Sequence, residues 1–353
     1  MFSPSYRVAA EQFRNTAENR GFDVKRHLLP GHLGAEGESL SIDVATKGRG
    51  DQLILLSGVH GPEGFAGSAS QIECMKRFDF AGIRVVMIHA VNPYGFSHDT
   101  RFNENRVDLN RNFSGFYPPE HNQLYSQLHA EFVRFAGVGL GTPPERETID
   151  RWIERWEGRL GVDGFAGAVF GGQYRYEDGL YFGGREYQAS VKLLELILAE
   201  HRIGGAGRAL TIDFHTGLGP SGHGELLYSG ARGSASHTLA ELWLGERITC
   251  TEAREELSQL TSTTNVAMFG HADFAEQVGF AAVEYGTVPL HDVVAALCGD
   301  MWLRNNPGVG GDVAAAVRTQ TRNAFYVPTR TWESAVLDRA VQLVGRASVS
   351  MRS

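Results

Sequence analysis

The chain has 353 residues, of which 42% are hydrophobic and 21% charged, a composition that supports a large buried core and excludes a disordered chain. Its formal net charge of −8 argues against a surface that neutralises nucleic-acid phosphates, so we expect no nucleic-acid partner. Three cysteines are too few for a disulfide framework, and no apolar stretch reaches the roughly 18 residues of a membrane span. We therefore expect a soluble, cytoplasmic protein with no membrane partner.

Hydrophobic periodicity predicts alternating helices and strands along the chain. Apolar positions at helical spacing over residues 6–17 predict a first helix that ends at Gly21. Short apolar runs predict buried strands at 52–59, 83–91 and 209–214. The other predicted elements are strands at 39–45, 225–229 and 280–285 and helices at 186–200, 235–245, 290–303, 310–320 and 329–345.

The middle of the chain departs from this alternation. Residues 121–137 and 143–158 predict two helices separated by a Gly/Pro break, and residues 161–184, rich in glycine and aromatics, predict a long surface loop near the substrate site. We interpret 114–184 as an insertion. The whole pattern, without a linker or repeat, predicts a single α/β domain over 1–353 with a central mixed, mostly parallel twisted sheet flanked by helices.

Two histidines and one glutamate follow the predicted buried strands. His60 and Glu63 lie in the loop after the 52–59 strand, where open α/β sheets place their sites. About one His-x-x-Glu pair is expected by chance in this composition, so a surface histidine and an acid at a helix start fit the pair equally well. His215 ends the 209–214 strand and can reach the same crevice. Together the three residues match the ligand set of a catalytic zinc site.

Three further residues have candidate roles around this site. His89 is a rival ligand, but its strand continues with apolar residues, which favours a hydrogen-bonded core histidine. Asp213 shares a strand face with His215 and could orient that imidazole. Glu284 ends an apolar strand, where a carboxylate is costly without a role, and is the leading candidate for a general base. A buried Glu–Arg pair is the alternative for Glu284.

The segment 92–113 concentrates Arg101, Arg106 and Arg111 with several asparagines just beyond a buried strand. One guanidinium there could stabilise an oxyanion, and another could bind a carboxylate together with a neighbouring amide. A solvated, charge-rich loop is the usual alternative explanation for such a cluster.

In chain order, these motifs resemble those of the zinc carboxypeptidases, the carboxypeptidase A-like metallopeptidases, and more closely a bacterial branch of that family. The resemblance spans about residues 50 to 290. The motifs that carry it are HGPE at 60–63, NPYG at 92–95, Arg101, DLNRNF at 108–113, His215 in DFHTG and Glu284 in VEYGT.

The resemblance implies one zinc ion bound by His60, Glu63 and His215. It also implies that Glu284 activates water and then protonates the leaving amine. The fold it implies is the mixed sheet already predicted, with the zinc in a crevice at the carboxyl ends of the strands.

The resemblance also implies roles for the polar segment. Arg101 corresponds to the arginine that polarises the scissile carbonyl, whereas Arg106 has no counterpart. Asn110 and Arg111 correspond to the pair that binds the terminal carboxylate of the substrate. The expected substrate is therefore a peptide or an N-acyl amino acid with a free carboxylate.

Two features leave the substrate class open. The segment 260–279 contains no tyrosine, although many family carboxypeptidases carry a mobile one shortly before the catalytic glutamate. The DFHTG form is also similar to succinylglutamate desuccinylase and aspartoacylase. We expect a zinc metallopeptidase, with an N-acyl amino acid amidohydrolase as the alternative and a non-catalytic zinc or peptide-binding protein as a third reading. A second metal at His98, His223 or His271 is a weaker hypothesis than surface histidines.

Overall fold

The computed structural model describes residues 2–112, 122–205, 207–251 and 277–352. Within these residues the strands form one mixed sheet. The strands are β1 (Asp23–Leu33), β2 (Ser39–Gly48), β3 (Gln52–Ser57), β4 (Arg84–His89), β5 (Ala209–Gly217), β6 (Gly224–Tyr228), β7 (Thr249–Cys250) and β8 (Val278–Gly286). Their order across the sheet is β1-β2-β4-β3-β5-β8-β6-β7.

Helices cover both faces of this sheet or pack beside it. Among the described residues, every helix is too short or too polar to cross a bilayer. The helices are α1 (Tyr6–Asn19), α2 (Gly64–Arg77), α3 (Pro93–His98), α4 (Gln123–Ala136), α5 (Arg146–Phe170), α6 (Ala189–Glu200), α7 (Ala235–Leu244), α8 (Leu290–Asn305), α9 (Gly311–Phe325) and α10 (Arg330–Ser350).

The centre of the sheet is parallel and its margins are mixed. Strands β4, β3, β5 and β8 run parallel to one another, whereas β2 is antiparallel to β4 and β6 is antiparallel to β8. Every residue of β3 and β5 is buried, because helices cover both faces of these strands. The predicted fold class, an α/β protein with a central mixed sheet flanked by helices, is confirmed.

The order of the central strands creates the crevice. The chain leaves β3 through α2 and returns in β4 on one side of β3, while β5 pairs with β3 on the other side. The loops that follow β3 and β5 therefore diverge from neighbouring strand ends. A crevice at the carboxyl ends of strands, at such a change of direction, is where open α/β sheets bind ligands.

The prediction of a surface loop over 161–184 is wrong for its first ten residues. Helix α5 continues to Phe170 after a kink at Gly161, whose φ is 74°. Phe165 and Phe170 are buried in a second hydrophobic cluster, which also contains residues of α4 and α8. Packing of this apolar face outweighs the low helix propensity of the glycines. The predicted insertion, 114–184, begins outside the described residues, and its extent stays a prediction.

Strand β1 is an element that the periodicity did not predict. It pairs only with β2 among the described residues and forms one edge of the sheet. Most of its residues are exposed or half-buried, including Leu28 and Leu33. An edge strand of this kind lacks the alternation of apolar and polar residues that identifies a half-buried strand.

Candidate metal centre and catalytic cleft

His60, Glu63 and His215 meet at the carboxyl ends of β3 and β5. Nδ1 of His60 lies 2.8 Å from Oε1 of Glu63, and Nδ1 of His215 lies 2.9 Å from Oε2 of Glu63. The two imidazole centroids are 5.3 Å apart. One donor atom from each residue lies within 4.8 Å of the other two. A single cation at ordinary ligand distances can therefore contact all three side chains.

A carboxylate lies behind each imidazole. Nε2 of His60 is 3.1 Å from Oδ1 of Asp108, and Nε2 of His215 is 2.7 Å from Oδ2 of Asp213. In each histidine, Nδ1 thus faces the carboxylate of Glu63, which both share, and Nε2 faces the carboxylate of an aspartate. Histidine ligands of metals commonly have this second hydrogen bond, which fixes the ring and its tautomer.

The charges of the cluster also fit a divalent cation. The side chains bonded to the imidazoles or to one another around them include three buried carboxylates, on Glu63, Asp108 and Asp213, and the buried guanidinium of Arg101, which bonds to the first two. With neutral imidazoles, these four side chains carry a net charge of −2. Burial of unbalanced charge is costly, and a divalent cation between the imidazoles would neutralise it.

The pKa values of His215 and Glu63 depend on the charges around them. Although burial opposes the shift, the Asp213 carboxylate raises the pKa of His215 well above its ordinary value. Burial likewise opposes the shift at Glu63, but the imidazoles of His60 and His215 hold the pKa of its carboxyl below the ordinary value. Glu63 is therefore ionised at neutral pH, the form that binds a metal.

Arg101 lies beside the donor set, and its guanidinium is partly occupied. Nε donates to Oδ2 of Asp108 at 3.0 Å, and Nη1 donates to Oε1 of Glu63 at 3.2 Å. Nη2 lies 2.9 Å from Nε2 of His60. Because a guanidinium has five N–H donors, these two bonds to carboxylates leave donors for a substrate oxygen.

The backbone around Arg101 is held by residues of the NPYG motif and of α8. The side chain of Asn92 accepts a bond of 2.8 Å from the Gly95 N–H and donates one of 3.2 Å to the Arg101 carbonyl. Oδ2 of Asp300 accepts bonds of 2.9 Å from both the Arg101 N–H and the Thr100 hydroxyl. The motif asparagine thus positions the arginine and does not itself line the cleft.

Glu284 lies beside His215, because the two residues are paired in the parallel register of β5 and β8. Its Oε1 accepts a bond of 3.0 Å from the Leu218 N–H, and no arginine of the described residues is ion-paired with it. Burial, and then the Glu63 carboxylate, raise the pKa of Glu284 to about 7. The alternative of a buried Glu–Arg pair is therefore not found in the described part of the chain.

Asn110 and Arg111 belong to a short 3-10 helix, Leu109–Arg111, and both line the same cleft. Nη2 of Arg111 donates to the Phe170 carbonyl, and its Nε is buried without a hydrogen-bond partner in the described residues. The Arg111 guanidinium lies 5.6 Å from the ring centroid of Tyr181, and the Arg101 guanidinium lies 4.9 Å from the same centroid. The Tyr181 ring therefore contacts both arginines.

Every predicted site residue lines this one cleft. They are His60, Glu63, Arg101, Asn110, Arg111, His215 and Glu284. The rest of its wall is largely apolar and includes Phe170, Tyr181, Leu227, Phe280 and Phe325.

The other histidines and arginines singled out by sequence lie elsewhere. His89 is fully buried, with Nε2 bonded to the Ser68 hydroxyl and its ring stacked on Phe13, as expected of a core histidine. Arg106 does not line the cleft. Within the described residues, His60, Glu63 and His215 are the only group with metal-ligand spacing, so neither His98 nor His223 joins a second one. His271 and most of the segment 260–279 lie outside the described residues.

The roles of two residues, Asp108 behind His60 and Tyr181 in the cleft wall, were not predicted from the sequence. Asp108 was part of the DLNR motif without an assigned function, although an acid close to two arginines and a ligand loop could have suggested one. Tyr181 lies in the region predicted as a surface loop. Its φ of 53° is a left-handed value that bulky residues rarely adopt, and nothing in the sequence signals it.

One protein family matches the chain over residues 2–339, and its description reads "Protein of unknown function (DUF2817)". No curated protein sequence matches the chain detectably.

Solved structures similar to the chain include bovine thrombin-activatable fibrinolysis inhibitor in complex with tick carboxypeptidase inhibitor, at 11% identity and a TM-score of 0.43, covering 96% of this chain and 98% of that chain. An aspartoacylase family protein from Mesorhizobium loti has 15% identity and a TM-score of 0.38, and the match covers 83% of this chain and 69% of that chain. A succinylglutamate desuccinylase/aspartoacylase from Rhodobacter sphaeroides has 15% identity and a TM-score of 0.37, and the match covers 80% of this chain and 63% of that chain. These likenesses concern the fold alone, and the residue roles rest on the geometry of this chain.

Proposed function

We propose that this chain, which belongs to the DUF2817 family, is a zinc-dependent hydrolase that cleaves an amide bond next to a free carboxylate. One observation carries the proposal. A metal donor set, a carboxyl group without an ion-pair partner in the described residues and two arginines converge in a single cleft. Amide hydrolysis needs an electrophile, a base and stabilisation of the oxyanion, and this cleft offers residues for each.

His60, Glu63 and His215 would hold the ion, with Asp108 and Asp213 fixing the two imidazoles. Two imidazoles and one carboxylate are a usual ligand set of catalytic zinc, and they leave a coordination position open. A zinc ion bound there supplies a Lewis acid that polarises a carbonyl and increases the acidity of water.

Glu284 acts as the general base and then as the general acid. Its carboxylate accepts a proton from the attacking water and delivers it to the nitrogen of the leaving amine. A pKa of about 7 suits both directions of transfer near neutral pH. The Leu218 N–H orients the carboxylate by bonding to Oε1.

The two arginines bind opposite charges of the substrate. The free N–H groups of Arg101 donate to the carbonyl oxygen as it gains negative charge, which stabilises the tetrahedral state more than the ground state. Asn110 and Arg111 bind the free carboxylate, and the unpartnered Nε of Arg111 is available for this contact.

A peptide with a free C-terminus is the substrate class that we propose. An N-acyl amino acid is the second candidate, because the DFHTG form at His215 is also similar to the deacylases. Both substrates present a carboxylate next to the scissile amide, so the same residues would serve either reaction.

A panel of substrates assayed with the zinc-loaded protein tests the proposal. We expect hydrolysis of peptides with a free C-terminus and loss of activity on the same peptides after amidation, since amidation removes the carboxylate bound by Arg111. Activity confined to N-acyl amino acids would assign the deacylase reaction instead. A protein that binds zinc and hydrolyses none of the panel would contradict the proposal and favour a non-catalytic binding protein.

The variant Glu284→Gln separates the base from the metal site. The amide keeps the size of the side chain but cannot accept the proton, so turnover should nearly vanish while bound zinc stays near one equivalent. A loss of zinc in this variant would show that the assignment of Glu284 as the base is wrong. The matched control is Glu225→Gln, at the β6 position paired with Glu284, because Glu225 does not line the cleft.

A further inference from the structure

A second cavity shares none of its lining residues with the catalytic cleft. Its wall comes from α3, from the segment 100–106, from α8 and from α9. Three arginines line it, Arg106, Arg304 and Arg318, together with Tyr94 and His98 of α3. The arginines come from three separate parts of the chain, so the fold itself brings these positive charges to one cavity.

None of these arginines is ion-paired with a carboxylate in the described residues. Nη2 of Arg304 donates to the carbonyls of Asn103 and Glu104, and its Nε is buried without a hydrogen-bond partner. Arg106 makes one long bond, of 3.4 Å, to the side chain of Asn305. Most N–H donors of the three guanidiniums are thus uncommitted within the protein.

The two acidic residues of the wall offset this positive charge only in part. Oδ2 of Asp300 is occupied by the Thr100 hydroxyl and the Arg101 N–H. Neither Asp300 nor Glu104 lies within ion-pair distance of an arginine among the described residues, and Oε2 of Glu104 is buried without a partner. The wall therefore carries three positive charges against at most two negative ones.

The positive charges of the cavity affect the pKa of His98, which also lines it. Burial lowers the pKa of His98, its bond to the Leu33 carbonyl opposes this, and the guanidiniums of Arg318 and Arg304 lower the pKa further. Two arginines of the cavity therefore act on one imidazole. Like charges gathered in a partly enclosed space repel one another unless an anion lies between them.

Arg106 also occupies an unfavourable backbone conformation. Its φ is 63°, in the left-handed region that non-glycine residues adopt only where the surroundings hold them. The bonds that hold it run from Asn103, whose carbonyl accepts from the Arg106 N–H and whose side chain accepts from the Val107 N–H. The Arg106 side chain lines this cavity and not the catalytic cleft.

We propose that Arg106, Arg304 and Arg318 form a binding site for a small, multiply charged oxyanion, of phosphate or carboxylate chemistry. Guanidinium groups suit such ligands because their paired N–H donors match two oxygens of one anion. The site is independent of the proposed hydrolase activity.

Calorimetric titration of the zinc-loaded full chain tests the site, with inorganic phosphate and succinate as probes and chloride holding the ionic strength constant. We expect at least one probe to bind, and Arg318→Gln and Arg106→Gln each to weaken that binding about tenfold or more, because each removes charge-assisted bonds. Phosphate bound more tightly than succinate would identify phosphate chemistry, and the reverse would identify carboxylate chemistry. Arg304 is left intact because it holds the carbonyls of the 103–104 segment.

Two controls separate this site from other effects. Arg111→Gln removes a cleft arginine and should leave binding at the second cavity unchanged, and Arg151→Gln replaces an exposed arginine on α5 that lines neither cavity. Thermal melting of each variant reports whether it is folded. Binding that is lost in Arg111→Gln but kept in the Arg106 and Arg318 variants would overturn the proposal, as would no binding of either probe at about 10 mM.

Discussion

At the scale of single residues, the carboxylates of Asp108 and Asp213 bond to the imidazoles of His60 and His215 and orient these rings. Asp108 accepts from Nε2 of His60, from Nε of Arg101 and from the Asn110 N–H, and so links the metal donors to the two polar residues expected to contact substrate. Asp213 has the simpler role of orienting His215. Residues with such contacts affect metal affinity without binding the metal.

We predict that Asp108→Asn and Asp213→Asn each lower zinc affinity by about 10- to 100-fold, because an amide is a weaker acceptor for the imidazole N–H. Competition against a chromogenic chelator measures this affinity. Asp43→Asn is the matched control, since Asp43 is equally buried but bonds to Arg14 and Ser41 outside the cleft. Unchanged zinc affinity in both site variants would show that these carboxylates do not orient the ligands.

The Tyr181 ring packs against both arginines of the cleft. Because the ring face contacts both guanidiniums, we predict that Tyr181→Leu lowers kcat/KM by about tenfold or more, whereas Tyr181→Phe keeps most of the activity. Steady-state kinetics on the best substrate of the panel measure both values. Equal losses in the two variants would mean that the hydroxyl group, and not the ring, is the part that matters.

At the scale of elements, the loop that follows β3 and the segment 95–100 are in direct backbone contact. Gly61, between the proposed metal ligands His60 and Glu63, packs directly on the backbone of Gly95 in the NPYG motif and of Thr100 just beyond it. A methyl group at position 61 would lie 2.1 Å from the Gly95 carbonyl carbon and 2.2 Å from the Thr100 oxygen. The glycine is therefore required by this close approach, and the approach places the ligand loop against the arginine segment.

We predict that Gly61→Ala lowers the free energy of unfolding by about 1–3 kcal/mol or more and weakens zinc binding, because one of the two loops has to move. Denaturant unfolding and the chelator competition measure the two effects. Gly158→Ala is the control, since a methyl group there meets nothing within 4 Å on helix α5 and should be neutral or slightly stabilising. If Gly61→Ala behaves like this control, the loop and the segment are not in this close contact.

The strands that position the cleft could be predicted from sequence because they are short, apolar and buried on both faces. Their carboxyl ends then placed His60, Glu63 and His215 in one crevice by the rule for open sheets. Strand β1 could not be predicted, since an exposed edge strand has no apolar pattern, and the helical start of 161–184 was missed because packing on α8 overrides its glycines.

Contacts between distant polar side chains were the least predictable part of the site. The bonds from Asp108 to His60 and Arg101 depend on how the segment 100–111 folds back towards the cleft, which no local pattern encodes. Asp213 was predictable because the two-residue period of a strand puts it on the same face as His215.

At the scale of the whole molecule, the stability of the fold should depend on pH through Asp300. Burial raises the pKa of this carboxyl from its ordinary 3.8 to about 6. Between these two values the folded chain keeps a proton that the unfolded chain has lost, so the contribution to stability is full below about pH 4 and is lost as pH rises through 6.

We predict that the difference in free energy of unfolding between the wild type and Asp300→Asn decreases by at most about 3 kcal/mol from pH 4 to pH 7. Asparagine can accept the same bonds from Thr100 and Arg101 but has no proton to lose. Denaturant unfolding in phosphate-free buffers measures the difference. A difference that is constant over this pH range would contradict the raised pKa.

Every role proposed for the cleft depends on His60, Glu63 and His215 binding one divalent ion. Elemental analysis of the purified chain after zinc loading and gel filtration tests this most directly, with His215→Ala, Glu63→Ala and, as a core-histidine control, His89→Ala measured alongside. We predict about one zinc per chain in the wild type and in any folded His89 variant, and a large loss in the two ligand variants. A wild type that retains no zinc, or a folded His215→Ala that retains a full equivalent, would contradict the account.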